Sequence, residues 1–329
     1  MRRFNLDILR NELPTTKIPY IIENGSGEHF IWNRQVFTFL STNKSTGNMF
    51  EVVTITGGKN ECFPAHLHEK MYESILVTEG VLDIHLENKT LTLNRGDYVL
   101  IPPGLSHGYS MQAHRTKILT YTIDGNITEM YQFIGQQYSH PKQPAYINQA
   151  ETLAKLDLET QFDIKFTDKN STDSKILYWP SGEGDNVLTG DQLHSLITTQ
   201  KDTEDNYIVV STEGPIGDAI VSHYHEKHTE TFYCFDGKVT MWVGEQSQKI
   251  VLYPGDFLHA PAGTIHSYRF DAHYSKMIGL LVPGLFEPFF RTLGEPYDFT
   301  TFPNEPQPLN FEKVIANIDT LDLKFVSHD

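Results

Sequence analysis

Three histidines and a glutamate occur twice in this chain in the same order and at matched spacing. His66, His68, Glu73 and His107 form the first set, and His223, His225, Glu230 and His266 form the second. The same punctuation accompanies both: Gly80, Gly96, Pro102 and Gly104 in the first, Gly237, Gly255, Pro261 and Gly263 in the second. Side chains alternate faces along a β-strand, so each His-x-His pair aims both imidazoles to one side. Three imidazoles and a carboxylate drawn from neighbouring strands make an N/O ligand set for a divalent transition metal. The glutamates open strands whose other same-face residues are apolar, Ile75 and Val77 in one copy and Phe232 and Cys234 in the other. A carboxylate on such a face is costly unless it is paired or bound to a cation. Four protein ligands leave positions open on an ion that takes more, which is a catalytic rather than a closed structural pattern. A single His-x-His is more often an ordinary strand pair; two complete sets favour metal. One metal is expected per set, with Glu73 and Glu230 also able to act as general bases. His85, His140, His194, His228 and His259 have no counterpart in the other copy and read as surface or core residues. His114 and His273 recur without a repeated carboxylate beside them and read as structural.

Short strands must carry these residues. Apolar alternation between Gly, Pro and Asn turns predicts strands over 37–40, 49–55, 63–68, 72–78, 81–86, 90–93, 98–102, 107–111 and 117–123. Many short strands at intervals of about ten residues indicate a β-sandwich or barrel. Ile127, Met130, Tyr131, Phe133 and Ile134 fall at helical spacing, and a second helical stretch is expected over 146–160. The pattern then restarts. The stretch from Ala65 to Glu73 matches Ser222 to Glu230 at an offset of 157, and Arg95 to Tyr98 matches Pro254 to Phe257 at 159. The two-residue difference falls in the hairpin at 244–247, where an insertion costs little. The fold expected is all-β: two homologous β-sandwich or jelly-roll barrels, with short helices in the linker and after each barrel. The boundaries expected are an N-terminal domain over 1–145, a helical linker over 146–165 and a C-terminal domain over 166–329. Ile75 and Tyr109 in the first copy, and Phe232 and Tyr268 in the second, are inward-facing candidates for a substrate pocket; each taken singly also fits ordinary barrel core.

The totals narrow the function classes. The chain has 329 residues and a formal net charge of -16, which argues against a nucleic-acid partner. No apolar run is long enough to span a membrane, and the residues after Arg2 and Arg3 lack the apolar core of a signal peptide. Cys62 and Cys234 do not occupy equivalent repeat positions, so free thiols in a cytoplasmic protein are expected.

These motifs resemble those of the cupins. The first cupin motif, Gly-x5-His-x-His-x(3,4)-Glu-x6-Gly, fits Gly217 through Gly237, and fits the first copy except that Asn60 replaces the leading Gly. The second, Gly-x5-Pro-x-Gly-x2-His-x3-Asn, fits both copies up to His107 and His266, with Met111 and Phe270 in place of the final Asn. More specifically, residues 17–325 resemble the bacterial bicupin quercetin 2,3-dioxygenases, most densely over 188–194, 223–234 and 282–294. The resemblance implies O2-dependent cleavage of a flavonol's central ring with release of carbon monoxide, leaving a depside. It also implies a homodimer and a metal that varies among members (Mn, Fe, Co, Ni or Cu). Three alternatives remain beside it. An oxalate-type bicupin would need a small polar pocket with an inward Arg. Another metal-dependent bicupin enzyme, either a ring-cleaving dioxygenase or an isomerase, and a non-enzymatic pirin-like bicupin are the others.

Overall fold

The computed structural model describes residues 8–144, 155–309 and 311–326. Two compact units emerge: one over Gly25–Ser181, the other from the described residues up to Asn24 together with those from Gly182 onward. Each is a sandwich of two sheets rather than a closed barrel.

In the first unit an eight-stranded sheet runs Gln136–Tyr138, Glu28–Trp32, Gln35–Ser41, Glu51–Gly57, Thr116–Ile123, Tyr72–Glu79, Tyr98–Ile101 and Leu177–Trp179. A four-stranded sheet, Cys62–His66, His107–Met111, Val81–Leu86 and Lys89–Asn94, faces it. The second unit repeats the plan with nine and five strands. In its large sheet the strand Thr229–Asp236 lies between Phe257–Ala260 and Ser275–Val282. The strands expected from sequence are all present in the first unit, most of them within a residue or two of the expected ends. Between Gln35–Ser41 and Glu51–Gly57 lies a single helical turn, Asn43–Thr46, with a capping box between Thr42 and Ser45. The helix expected near 127–134 is Ile127–Ile134; it buries Ile127, Met130, Tyr131 and Ile134 and leaves Phe133 exposed. Its counterpart after the second sandwich is Glu287–Leu293. Of the helix expected over 146–160, the portion before residue 155 lies outside the described residues; the rest is Lys155–Gln161.

The motif glycines are backbone requirements. Gly80 and Gly237 both have φ +76°, and a Cβ would stand 2.3 Å from the Arg115 carbonyl oxygen or 2.2 Å from that of Tyr274. Asn60, in the place of a motif glycine, adopts φ 71°, a region asparagine tolerates better than most residues.

The units divide differently from the boundaries expected from sequence. Tyr20–Ile22 precedes the first repeat, yet it pairs antiparallel with Phe257–Ala260 in the second unit's sheet. Leu177–Trp179 precedes the second repeat and pairs antiparallel with Tyr98–Ile101 in the first unit. Each sheet is thus extended by a strand from the segment ahead of the other repeat; in the second unit Leu9–Arg10 pairs in turn outside Tyr20–Ile22. The described part of the expected linker also belongs to the first unit, where Lys165 bridges Leu67. No helix among the described residues is long and apolar enough to cross a membrane. Cys62 is exposed and Cys234 buried, both free.

Ile21 joins Phe232, Leu258 and Tyr268 in the second unit's core and is 1% exposed. Ile21→Ala is expected to destabilise that unit by about 2–5 kcal/mol, read as an earlier unfolding transition in urea. An unchanged midpoint would show that Tyr20–Ile22 contributes nothing to that sheet's stability.

Candidate metal centre

The two His strands sit in the small sheets and the Glu strands in the large ones, so each set meets between the layers. His66 pairs directly with His107 across the first small sheet, and His223 with His266 across the second. Glu73 and Glu230 enter from Tyr72–Glu79 and Thr229–Asp236. All eight side chains are buried. In the first set, ligand atoms of His66, His68, Glu73 and His107 lie within 4.8 Å of one another. In the second, that holds for His223, His225 and His266. Glu230 falls outside that mutual set but remains 3.0 Å from His266 Nε2 and 3.5 Å from His225 Nε2.

The orientation of the six rings follows one rule. His66 Nδ1 donates to the Pro64 carbonyl at 2.8 Å and His107 Nδ1 to that of Leu105 at 3.0 Å. His223 Nδ1 donates to Val221 at 2.8 Å and His266 Nδ1 to Thr264 at 2.9 Å. His68 Nδ1 donates to the Asp163 carbonyl, and His225 Nδ1 to that of Asp322. A carbonyl oxygen only accepts, so each Nδ1 carries the proton and each Nε2 presents a lone pair. The Nε2 atoms of His68 and His225 are buried without a hydrogen-bond partner. His107 Nε2 lies 3.0 Å from Glu73 Oε2, acceptor against acceptor unless a cation or proton intervenes. Converging lone pairs, a carboxylate and orphaned ring nitrogens fit a metal ion, with the carbonyls orienting the ligands from behind.

Electrostatics agree. Burial, reinforced by the neighbouring imidazoles, holds His66 and His223 well below the ordinary imidazole value. His68 and His225 are lowered chiefly by burial. Burial alone would raise Glu73 and Glu230, but the surrounding histidines outweigh it and leave both carboxyls lowered. Neutral imidazoles and ionised carboxylates are the forms a metal needs.

Sequence reasoning missed three groups. Asp163 accepts the backbone N–H groups of Glu69, Lys70 and Met71 at 2.8–2.9 Å, clamping the turn after the first His pair. Asp322 does the same for Glu226, Lys227 and His228 at 2.9–3.0 Å. A signal existed: Asp163-Ile-Lys-Phe166 and Asp322-Leu-Lys-Phe325 recur at the repeat's own offset of 159. The third group is His228, expected among surface or core residues. It is fully buried, with Nδ1 2.8 Å from Asp322 Oδ2 and Nε2 3.4 Å from Glu230 Oε1. Burial opposes its charge, but the two carboxylates outweigh that and raise its pKa.

The other histidines weighed in the sequence separate cleanly. His85, His114, His140 and His273 are exposed. His259 and His194 are buried, and burial lowers each to about 3. His194 is held between Thr189 and Thr212 at 2.7 and 2.9 Å.

The second unit contains a cavity of about 570 Å³ that reaches His223, Glu230 and His266. Phe232, Leu281, Phe286 and Phe290 are among its mostly apolar walls. The pocket candidates Phe232 and Tyr268 both line it, and the Tyr268 hydroxyl donates to Gln192 Oε1 at 2.6 Å. Ile75 and Tyr109 are buried in the first unit, where the Tyr109 hydroxyl donates to Gln35 Oε1 at 2.7 Å.

A family model described as "Cupin domain" matches residues 52–128 and 212–277, which between them include all eight converging residues. A variant of oxalate decarboxylase from B. subtilis shares the fold, with TM-score 0.56 and 13% identity over 83% of this chain and 79% of that one. The quercetin 2,3-dioxygenase of Aspergillus japonicus is 32% identical over 113 residues, 33% of this chain and 32% of that protein. The quercetin 2,3-dioxygenase of Bacillus subtilis (strain 168) is 47% identical over 95% of this chain and 97% of that protein. Identity of that extent, carried on two cupin units with complete His/Glu sets, places the chain in the family: it belongs to the bicupin quercetin 2,3-dioxygenases.

Proposed function

We propose that this protein is a metal-dependent flavonol 2,3-dioxygenase that opens the central ring of quercetin with O2, yielding a depside and carbon monoxide. The observation that carries the reading is the apolar cavity that ends on His223, Glu230 and His266. Its size suits a small-molecule ligand, and its walls suit flat aromatic rings. The near full-length likeness to a quercetin 2,3-dioxygenase supports the substrate class. No Arg or Lys lines the cavity among the described residues, which disfavours a small dianion such as oxalate.

His66, His68, His107 and Glu73 would hold one metal ion, and His223, His225, His266 and Glu230 a second, each Mn, Fe, Co, Ni or Cu. Bound there, a divalent ion supplies Lewis acidity for the flavonolate oxyanion. The chain does the rest. A Glu230 carboxylate oxygen accepts the proton of the flavonol 3-hydroxyl as general base, and Glu73 has the same role in the first unit. Phe232 and Tyr268 pack against the aromatic rings, and Ile75 and Tyr109 stand in the equivalent places. The apolar walls keep water from the reacting carbons. The two atoms of O2 end on C2 and C4 as both bonds to C3 break. C3 leaves with its oxygen as carbon monoxide, and the carboxylate returns its proton to the product acid.

Quercetin added anaerobically to metal-loaded protein, followed by O2, is expected to lose its flavonol absorption with one CO released per O2 consumed. A spectral shift without CO would overturn the reading. Glu73→Gln combined with Glu230→Gln is expected to lower kcat by about 100- to 10,000-fold; full turnover at unchanged metal content refutes the base role. Protons compete with metal for Nε2, and the His66 and His223 pKa values are depressed. Metal release on acidification should therefore begin well below pH 6.5, the ordinary imidazole value. Release already complete at that pH would contradict the assigned ligands.

A further inference from the structure

We propose that His228 is a positioning residue of the second centre: linking Asp322 to Glu230 Oε1, it holds the Glu230 carboxylate to one side of the histidine triad and makes this centre unequal to the first. The repeat supplies the comparison. At the position equivalent to His228 the first copy has Met71, and both backbone N–H groups donate to the matching aspartate, Met71 at 2.9 Å and His228 at 3.0 Å. The backbones therefore correspond and the side chains do not. A methionine thioether is at most a weak acceptor and offers a carboxylate no donor.

The carboxylates differ accordingly. Glu73 meets His107 at 3.0 Å and His68 at 3.8 Å through Oε2, and belongs to the mutual ligand set. Glu230 meets His266 through Oε2, while Oε1 faces His225 at 3.5 Å and His228 at 3.4 Å, and Glu230 falls outside the mutual set. His228 is itself immobilised. Its ring lies 4.0 Å from that of His225 and 4.9 Å from that of Phe286, and its other nitrogen is bonded to Asp322.

His225, His228 and Asp322 also come close enough together to suggest a further metal site, but Asp322 and His228 are already engaged, and His225 has only the Nε2 that faces His223 and His266 left over. Asp322 accepts three backbone N–H groups and His228 Nδ1, and His225 Nδ1 is bonded to a carbonyl. The cluster is a hydrogen-bonded support behind the second centre.

The test takes Cu(II) alone as its probe, in a His66→Ala/His68→Ala chain from which the first set has been removed. Adding His228→Met, the first copy's own residue, should leave copper content unchanged and shift the EPR parameters of the remaining centre. The kinetic arm rests on the flavonol reading: kcat for quercetin should fall roughly 10- to 100-fold with KM little altered. The EPR arm contains no flavonol and stands if that reading fails. Should the background variant not fold, Met71→His in the otherwise intact chain replaces it and should move the first centre's signal towards that of the second. An EPR signal identical with and without His228 at equal copper content overturns the proposal. So does loss of copper from the folded His228→Met protein, which would mark a ligand or a purely structural residue.

Discussion

Six hydrogen bonds from imidazole Nδ1 to backbone carbonyls govern this molecule. Each fixes a tautomer and turns a lone pair inward, so that three buried nitrogens and a buried carboxylate confront each other in each unit. That arrangement is repulsive on its own and becomes cohesive around a cation. Four of the six carbonyls lie two residues before their own histidine, at Pro64, Leu105, Val221 and Thr264. Those rings are oriented by the local strand and turn backbone. The other two carbonyls, from Asp163 and Asp322, arrive from the segment that closes each sandwich.

Much of this was legible in the sequence, because the physics behind it is local. Strand alternation places both histidines of a pair on one side, and the motif glycines mark positions where a Cβ would collide with a carbonyl, as at Gly80 and Gly237. The fold and the eight converging residues follow from such rules applied twice. What escaped depends on contacts between distant segments. Asp163 reaches back to residues 68–71, and Asp322 to 225–228. The Asp-x-Lys-Phe repeat that carries them lies beyond the stretches compared. His228 escaped for the opposite reason: a residue without a counterpart looks incidental when duplication is the guide. The sheets that Tyr20–Ile22 and Leu177–Trp179 join escaped because three-residue strands carry almost no periodic signal, and nothing local says which sheet they extend.

The two copies have kept the same skeleton and changed what faces inward. Phe37 stacks on Tyr131 with ring centroids 4.1 Å apart. At the corresponding places in the second copy, His194 stands 5.0 Å from Phe290, and both line the cavity. Gln35 with Tyr109 and Gln192 with Tyr268 form the same hydrogen bond in both. A fixed scaffold with a few replaced side chains is how one fold comes to hold sites of different character.

The exchanged strands bear on how such a chain could have arisen. A single ancestral cupin built on this plan would have had to satisfy the edge beside Tyr98–Ile101 or Phe257–Ala260 with a strand of its own or from a second copy. After tandem duplication, Leu177–Trp179 fills the first of these edges and Tyr20–Ile22 the second. The fusion is therefore not divisible at its midpoint. A fragment ending at residue 144 would keep His66, His68, Glu73 and His107. It would lack both the strand that completes the sheet carrying Glu73 and the Asp163 carbonyl that orients His68. Covalent joining of the two halves has become part of what completes each one.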